Sequence, residues 1–247
     1  MSEIPKALIC VGAPKCGTTW LYHQIKKSDN FNTPINKEVD FWNIYRHSSN
    51  VDRGGFKQLP RKVQKLIGLF FRANYFKNYK DDYDVDLFFL DFSPSYMDIK
   101  NKHIEQIKKN IGEVKFVLCT RNPAERVVSH LNYSVRMKKF FYLKLFLKDF
   151  YYKSRKCRRS TNYSGVYDRL VRAFGEDKVC VIAYEDLFSN AQKCEEKLSF
   201  FIGEKITLDT DEVLNKGESR VSVSNDMIKR INQYYYDQAR FWEESLM

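Results

Sequence analysis

Apolar positions along this chain follow two alternating spacings. Short, nearly continuous apolar runs at Ala7–Val11, Leu87–Asp91, Lys115–Thr120 and Val179–Tyr184 are each followed by turn or helix signals, as expected of buried strands. Between them, apolar residues recur at helical spacing over Thr18–Lys27, Lys102–Asn110, Ala124–Met137, Val166–Phe174 and Ala191–Phe201, and three of these stretches run out at Gly112, Gly175 or Gly203. A last helix is predicted to start near Ser224, a good N-cap, with Met227, Ile228, Ile231, Tyr234, Tyr235, Phe241 and Trp242 as its core stripe. Strand–crossover–strand units favour a parallel sheet, so the predicted class is α/β, three layers deep, with a central parallel sheet flanked by helices. No repeat or Gly/Ser linker divides the chain, and residues 1–247 are read as one domain. The weakly patterned residues 44–82 and the segment 136–162 are read as insertions.

Composition narrows this picture. A chain that is 43% hydrophobic and 15% aromatic is globular, and 247 residues can bury a substantial core. No run of about 18 apolar residues occurs, and the first ten residues have neither a basic stretch nor a small-residue cleavage site, so a cytoplasmic location is expected. The six cysteines (Cys10, Cys16, Cys119, Cys157, Cys180 and Cys194) form no C-x-x-C pair, which favours reduced thiols over disulfides or zinc. A net charge of +11 implies an anionic partner without naming a reaction. Between Arg136 and Arg159 ten Lys/Arg face a single acid, Asp149, and are interleaved with aromatics. This basic stretch admits three readings: a solvated face, a platform for an acidic acceptor, or contact with a membrane surface or polyanion. No nucleic-acid recognition motif accompanies it, so no nucleic-acid partner is expected.

Two segments carry candidate chemistry. Gly12-Ala13-Pro14-Lys15-Cys16-Gly17-Thr18-Thr19, directly after the first apolar run, has the Gly-x4-Gly frame of a phosphate loop with its lysine displaced. In an ATP-type loop the lysine follows the second glycine and the next Ser/Thr holds magnesium. Here Thr18 takes the lysine slot and Lys15 lies inside the loop. A strand, a Gly-rich turn and a helix N-terminus still aim N–H groups at an anion, making the fold P-loop-like without requiring ATP. Cys16, within the loop, reads mainly as a small filler, with thiolate chemistry the minor alternative. In the second segment, strand Lys115–Thr120 runs into Arg121-Asn122-Pro123, with Asn122 as N-cap and Pro123 in the first turn of a helix. Arg121 then projects from the carboxyl end of a strand, on the rim that holds the Lys15 loop, where open α/β sheets bind ligands. Ser129, on the following helix, can turn a hydroxyl toward the same rim.

Pro14-Lys15-Cys16-Gly17-Thr18-Thr19-Trp20-Leu21, Asn36-Lys37-Glu38-Val39-Asp40-Phe41-Trp42 and Arg121-Asn122-Pro123-x-x-Arg126-x-x-Ser129 together resemble the sulfotransferase family, most of all its heparan sulfate sulfotransferase-like branch and bacterial relatives. The resemblance runs weakly from about residue 6 to the C-terminus. It implies 3′-phosphoadenosine 5′-phosphosulfate (PAPS) as donor and PAP as product. Lys15, Cys16, Gly17, Thr18, Thr19 and Trp20 would hold the 5′ end, and Arg121 and Ser129 the 3′-phosphate. Lys216 and Gly217, in Asn215-Lys216-Gly217-Glu218-Ser219-Arg220, resemble a loop that closes over the donor, with Glu218 where an arginine is usual.

On that resemblance Lys15 stabilises the leaving group during in-line transfer and no metal is required, because a sulfuryl group carries less charge than a γ-phosphoryl group. Glu38 would be the base that takes the proton of an acceptor hydroxyl or amine; as an isolated feature it reads as a surface loop glutamate. Asp40 stands where the family has a histidine, and Asp91-Phe92-Ser93-Pro94-Ser95-Tyr96 lacks the lysine of the family's Glu-Lys-Ser/Thr-Pro-x-Tyr. Two other classes stay open: a P-loop kinase or nucleotide hydrolase, and a PAP(S)-binding protein without turnover. The expected acceptor is small or medium, a metabolite, glycolipid or saccharide.

Overall fold

The computed structural model describes residues 5–43, 75–79, 83–137, 150–212 and 221–246. Its sheet has five parallel strands: β1 (Lys6–Gly12), β2 (Phe31–Asn32), β3 (Phe88–Phe92), β4 (Glu113–Thr120) and β5 (Val179–Ala183), in the order β2-β3-β1-β4-β5. The four apolar runs of the sequence lie within a residue or two of β1, β3, β4 and β5. β2 has only two residues and no pattern of its own to reveal it. Every residue of β1 after Lys6 is buried, as a central strand covered on both faces requires.

Topology fixes where a ligand can bind. From β1 the chain goes to β2 and β3 on one side, then passes to β4 and β5 on the other. The connections therefore part at the carboxyl end of β1, the crevice in which open parallel sheets hold ligands. Helix α1 (Thr18–Ile25) leaves that point, α2 (Asn101–Asn110) leads into β4, and α3 (Pro123–Arg136) leaves β4. Helix α4 (Arg155–Ser160) precedes α5 (Tyr163–Phe174), which packs on β4 and β5. Beyond β5 come the short α6 (Asp186–Ser189), α7 (Ala191–Ile202), α8 (Asn225–Tyr234) and α9 (Tyr236–Ser245).

Two apolar clusters result. The larger joins the sheet to α1, α2, α5 and α7. The smaller gathers Ala124, Val127, Leu131 and Val135, one face of α3, against Met227, Ile231 and Tyr235 and against Tyr151, Tyr152 and Cys157. This explains a departure from the single C-terminal helix expected after Ser224. Ser224 does cap α8, its side chain accepting from Met227 N–H, but the helix breaks at Tyr235. Met227 and Ile231 serve the smaller cluster, whereas Phe241 and Trp242 pack on the larger. One stripe cannot face both, and the break supplies the change of direction.

Gly12 ends β1 at φ 129°, and a Cβ there would lie 2.7 Å from Met97 Cγ and 3.1 Å from the Pro94 carbonyl oxygen. Gly12→Ala is expected to lower unfolding stability by about 1–3 kcal/mol, read as a shifted urea midpoint at unchanged m-value.

Candidate active site

The loop after β1 is built to leave donors open. Ala13 N–H donates to the Cys119 carbonyl at 2.8 Å, tying the loop to β4, and Cys16 N–H turns back to the Ala13 carbonyl at 3.3 Å. Lys15 and Gly17 both adopt positive φ, 73° and 78°. Gly17 is the N-cap of α1, so no side chain caps this helix, and its first turn contains no acid. The terminal N–H groups and the helix dipole therefore favour an anion. α3 is the contrast: the Asn122 side chain accepts from Ala124 N–H at 3.0 Å and Glu125 N–H at 3.3 Å, closing the terminus as Asn122-Pro123 predicts.

Cations converge on the same rim. Arg121 donates to the Lys15 carbonyl at 3.4 Å and to Glu125 at 3.1 Å, and its guanidinium lies 4.2 Å from the centre of the Tyr184 ring. Lys15 Nζ sits 4.4 Å from the centre of the Tyr133 ring and has no acidic partner among the described residues. Its pKa is lowered, first by burial and then by the positive charges of Arg136 and Arg121. Ser129 is half-buried on α3, and Tyr133 and Arg136 follow it by four and seven residues on one face of that helix. Tyr133, Arg136 and Tyr184 are additions to the residues read from the sequence. The helix register of Ser129 could have disclosed the first two; Tyr184 is recognisable only once β5 is placed beside β4.

Beneath the loop the groups are buried. Cys16 is inaccessible, and burial pushes its thiol up to about 12. A neutral thiol fits the filler reading. The Tyr163 hydroxyl lies 4.0 Å from Cys16 Sγ and donates to the Arg121 carbonyl at 2.9 Å, so the start of α5 supports both candidate segments at once. The Arg126 guanidinium is fully buried, and its three nitrogens have no hydrogen-bond partner among the described residues.

Glu38 occupies a different loop on the same rim. Its nearest partner is Lys37, whose Nζ lies 3.3 Å from Glu38 Oε1 and donates to the Phe92 carbonyl at 3.4 Å. No described hydrogen bond or ion pair joins Glu38 to Lys15. The loop is pinned to the end of β3: Asp40 N–H donates to Ser93 Oγ at 2.8 Å, Trp42 N–H to the Tyr96 hydroxyl at 3.2 Å, and Asn43 Nδ2 to the Ser95 carbonyl at 2.8 Å. The Ser95 hydroxyl donates to the Asp40 carboxylate. Asp91, fully buried, accepts from Ser93 at 2.5 Å, Tyr96 at 2.9 Å and Tyr75 at 3.2 Å. Burial raises Asp91 to about 7, against these hydrogen bonds.

Trp20 is buried in α1, its indole N–H donating to the Glu212 carbonyl at 2.8 Å and its ring packed on Phe188. Lys216 and Gly217 lie outside the described residues, as does 138–149 of the basic segment. The described part of that segment includes Arg155, Arg158 and Arg159, which with Tyr234 and Tyr236 line a cleft of about 440 Å³. Among the described residues no cluster of His, Cys, Asp and Glu is arranged to hold a metal ion, and no helix is long and apolar enough to cross a membrane.

Residues 5–245 match the family described as the sulfotransferase domain. Among solved structures, a sulfotransferase from Alicyclobacillus acidocaldarius is similar at TM-score 0.67 and 18% identity, over 97% of this chain and 94% of that one. The sulfotransferase domain of the Synechococcus PCC 7002 olefin synthase is similar at TM-score 0.53 and 14% identity, over 95% and 96%. That of the curacin biosynthetic pathway is similar at 0.52 and 15%, over 100% and 93%. No curated protein matches in sequence.

Two outcomes are expected of the isolated protein. All six cysteines are buried, so a thiol reagent at pH 8 should label almost none in the native state and six in denaturant; rapid labelling of Cys16 would contradict its neutral, enclosed state. Asp91 binds a proton more tightly folded than unfolded, so stability should fall as pH rises from about its unfolded value of 3.8 through about 7. Asp91→Asn should remove that slope from urea unfolding curves taken across the range.

Proposed function

This chain belongs to the sulfotransferase family, and we propose that it moves the sulfuryl group of PAPS to a hydroxyl or amine of a small or medium acceptor, with Glu38 as base and Lys15 stabilising the leaving group. The observation that carries the reading is the open, uncapped end of α1 with Lys15, Arg121 and Arg136 converging beside it, a donor set suited to an anion with two separated phosphate groups. The 5′ end falls to Lys15, Gly17, Thr18 and Thr19, with Cys16 as the loop's filler and Trp20 shaping it from the helix. The 3′-phosphate falls to Arg121 and Ser129. Lys216 and Gly217 join the donor set on their resemblance to the family's motif.

In the reaction Glu38 takes the acceptor's proton as the acceptor atom bonds to sulfur from the side opposite the leaving oxygen. The electron pair of the breaking S–O bond stays on the 5′-phosphate of PAP. Lys15 donates to that bridging oxygen as its charge grows, the role a metal serves in many phosphoryl transfers. Parked on Tyr133 and surrounded by like charge, Lys15 has every electrostatic reason to transfer to an incoming anion. The basic stretch 136–159 supplies contact with an acidic acceptor, a polyanion or a membrane surface.

Calorimetric titration with PAP, and in parallel with ATP and magnesium, tests the donor site. Wild type should bind PAP, Lys15→Ala and Arg121→Ala should weaken it about 10- to 100-fold, and ATP with magnesium should give no comparable signal. Binding of ATP but not PAP would overturn the reading in favour of a kinase or hydrolase. In an acceptor screen followed by PAP release, Glu38→Gln should reduce kcat by about 10²–10⁴-fold at unchanged PAP affinity. Full activity of Glu38→Gln would remove Glu38 as base; PAP binding with no turnover on any acceptor would favour a binding protein.

A further inference from the structure

A fully buried carboxylate, Asp91, has no place in the donor site, yet three hydroxyls converge on it. Two of these hydroxyls are shared. Ser93 Oγ gives its one proton to Asp91 at 2.5 Å and accepts Asp40 N–H at 2.8 Å. The Tyr96 hydroxyl gives its proton to Asp91 at 2.9 Å and accepts Trp42 N–H at 3.2 Å. A hydroxyl has one proton and two lone pairs, so committing the proton to the carboxylate turns the lone pairs toward the loop. Asp40 and Trp42 stand two and four residues after Glu38, and Lys37, just before it, is held by the carbonyl of Phe92.

We propose that Asp91 is the positioning residue for the Glu38 loop, acting through Ser93 and Tyr96 as two hydroxyl relays that hold the backbone on either side of Asp40. The proposal rests on Glu38 being the base only for its catalytic consequence; the relay itself is a statement about the loop. Asp91 lies on β3 beside Ile9 of β1, and the polar groups facing it are Ser93, Tyr96, Tyr75 and, more remotely, Asp40 and Tyr79. The Tyr79 hydroxyl lies 2.8 Å from the Leu90 carbonyl and 3.1 Å from the Tyr75 hydroxyl, toward which it is a donor, and Tyr75 gives its own proton to Asp91. A carboxylate accepts from all three donors at once. An asparagine in its place offers one acceptor oxygen and a donor that opposes the others, so it breaks the relay without changing side-chain volume. The positive φ of Asp40, 53°, shows that the loop is held in a conformation that an L-residue does not favour.

The test is residue-resolved amide hydrogen exchange at pH 8, above the value to which burial lifts Asp91, on the full chain. Ser93→Ala should deprotect the Asp40 amide and spare Trp42, Tyr96→Phe should do the reverse, and Asp91→Asn should deprotect both, each by roughly five- to tenfold, the size of one lost hydrogen bond. The β1 amides should be unchanged in all three, which separates loop release from general destabilisation. Uniform loss across β1, or full protection of both loop amides in Asp91→Asn, would overturn the proposal. PAP affinity should be retained in Asp91→Asn, while PAP release from PAPS with an acceptor identified by the screen should drop about 10- to 100-fold in kcat. If Glu38→Gln is fully active while the exchange pattern holds, the base assignment fails and the relay stands; if Glu38→Gln is inactive and Asp91→Asn turns over normally, the relay fails and the base stands.

Discussion

The parallel pairing of β1 with β3 on one side and β4 on the other is the constraint on which the polar groups of the site depend. Parallel strands end on the same edge, so the segment leaving each one is delivered to a common rim whatever its sequence. The Lys15 loop leaves β1, Arg121 leaves β4, and the Ser93–Tyr96 turn that clasps the Glu38 loop leaves β3. The hydrogen bond from Ala13 N–H to the Cys119 carbonyl extends the β1–β4 ladder past the strand and fixes the height of the loop above the sheet.

Around that edge the molecule tolerates unfavourable electrostatics. Lys15 is lowered by burial and by two neighbouring cations, a helix start is left without a side-chain cap, and Arg126 is buried with three unpartnered nitrogens. Each arrangement costs stability on its own, because an uncompensated buried charge or an open helix end forfeits hydration without gaining a partner. They share one sign. Lys15 and the open start of α1 share one rim, so an anion bound there would offset part of that cost. The side of the rim that carries the Glu38 loop follows a different rule: Asp91, Asp40, Tyr75, Tyr96, Ser93 and Ser95 bond one another in a connected network.

Much of this was legible in the chain because it depends on local chemistry. Buried parallel strands need continuous apolar runs, and the four runs mark β1, β3, β4 and β5; Asn122-Pro123 marks the start of α3 and the glycines mark the phosphate loop. What escaped depends on tertiary partners. β2 is two residues long and exists because β3 pairs with it. The break at Tyr235 arises because one apolar stripe must serve two clusters. The relay at Asp91 joins Asp40 to Ser93 across 53 positions and Trp42 to Tyr96 across 54, so no short window of sequence contains it. Glu38, by contrast, was recognisable only through its resemblance to a motif, since a glutamate beside a lysine in a polar loop carries no pattern of its own.

Gly17 also sets how closely two distant segments meet. With a left-handed backbone and no side chain, it lets the turn after β5 press directly on the start of α1: a Cβ there would stand 3.0 Å from both Leu187 Cδ1 and Tyr184 Cδ2. Two segments some 170 residues apart in sequence thus touch without a spacer, and neither can change size unless the other yields. A change at Tyr184 or Leu187 is therefore felt at the start of α1, and the two segments can be altered only together.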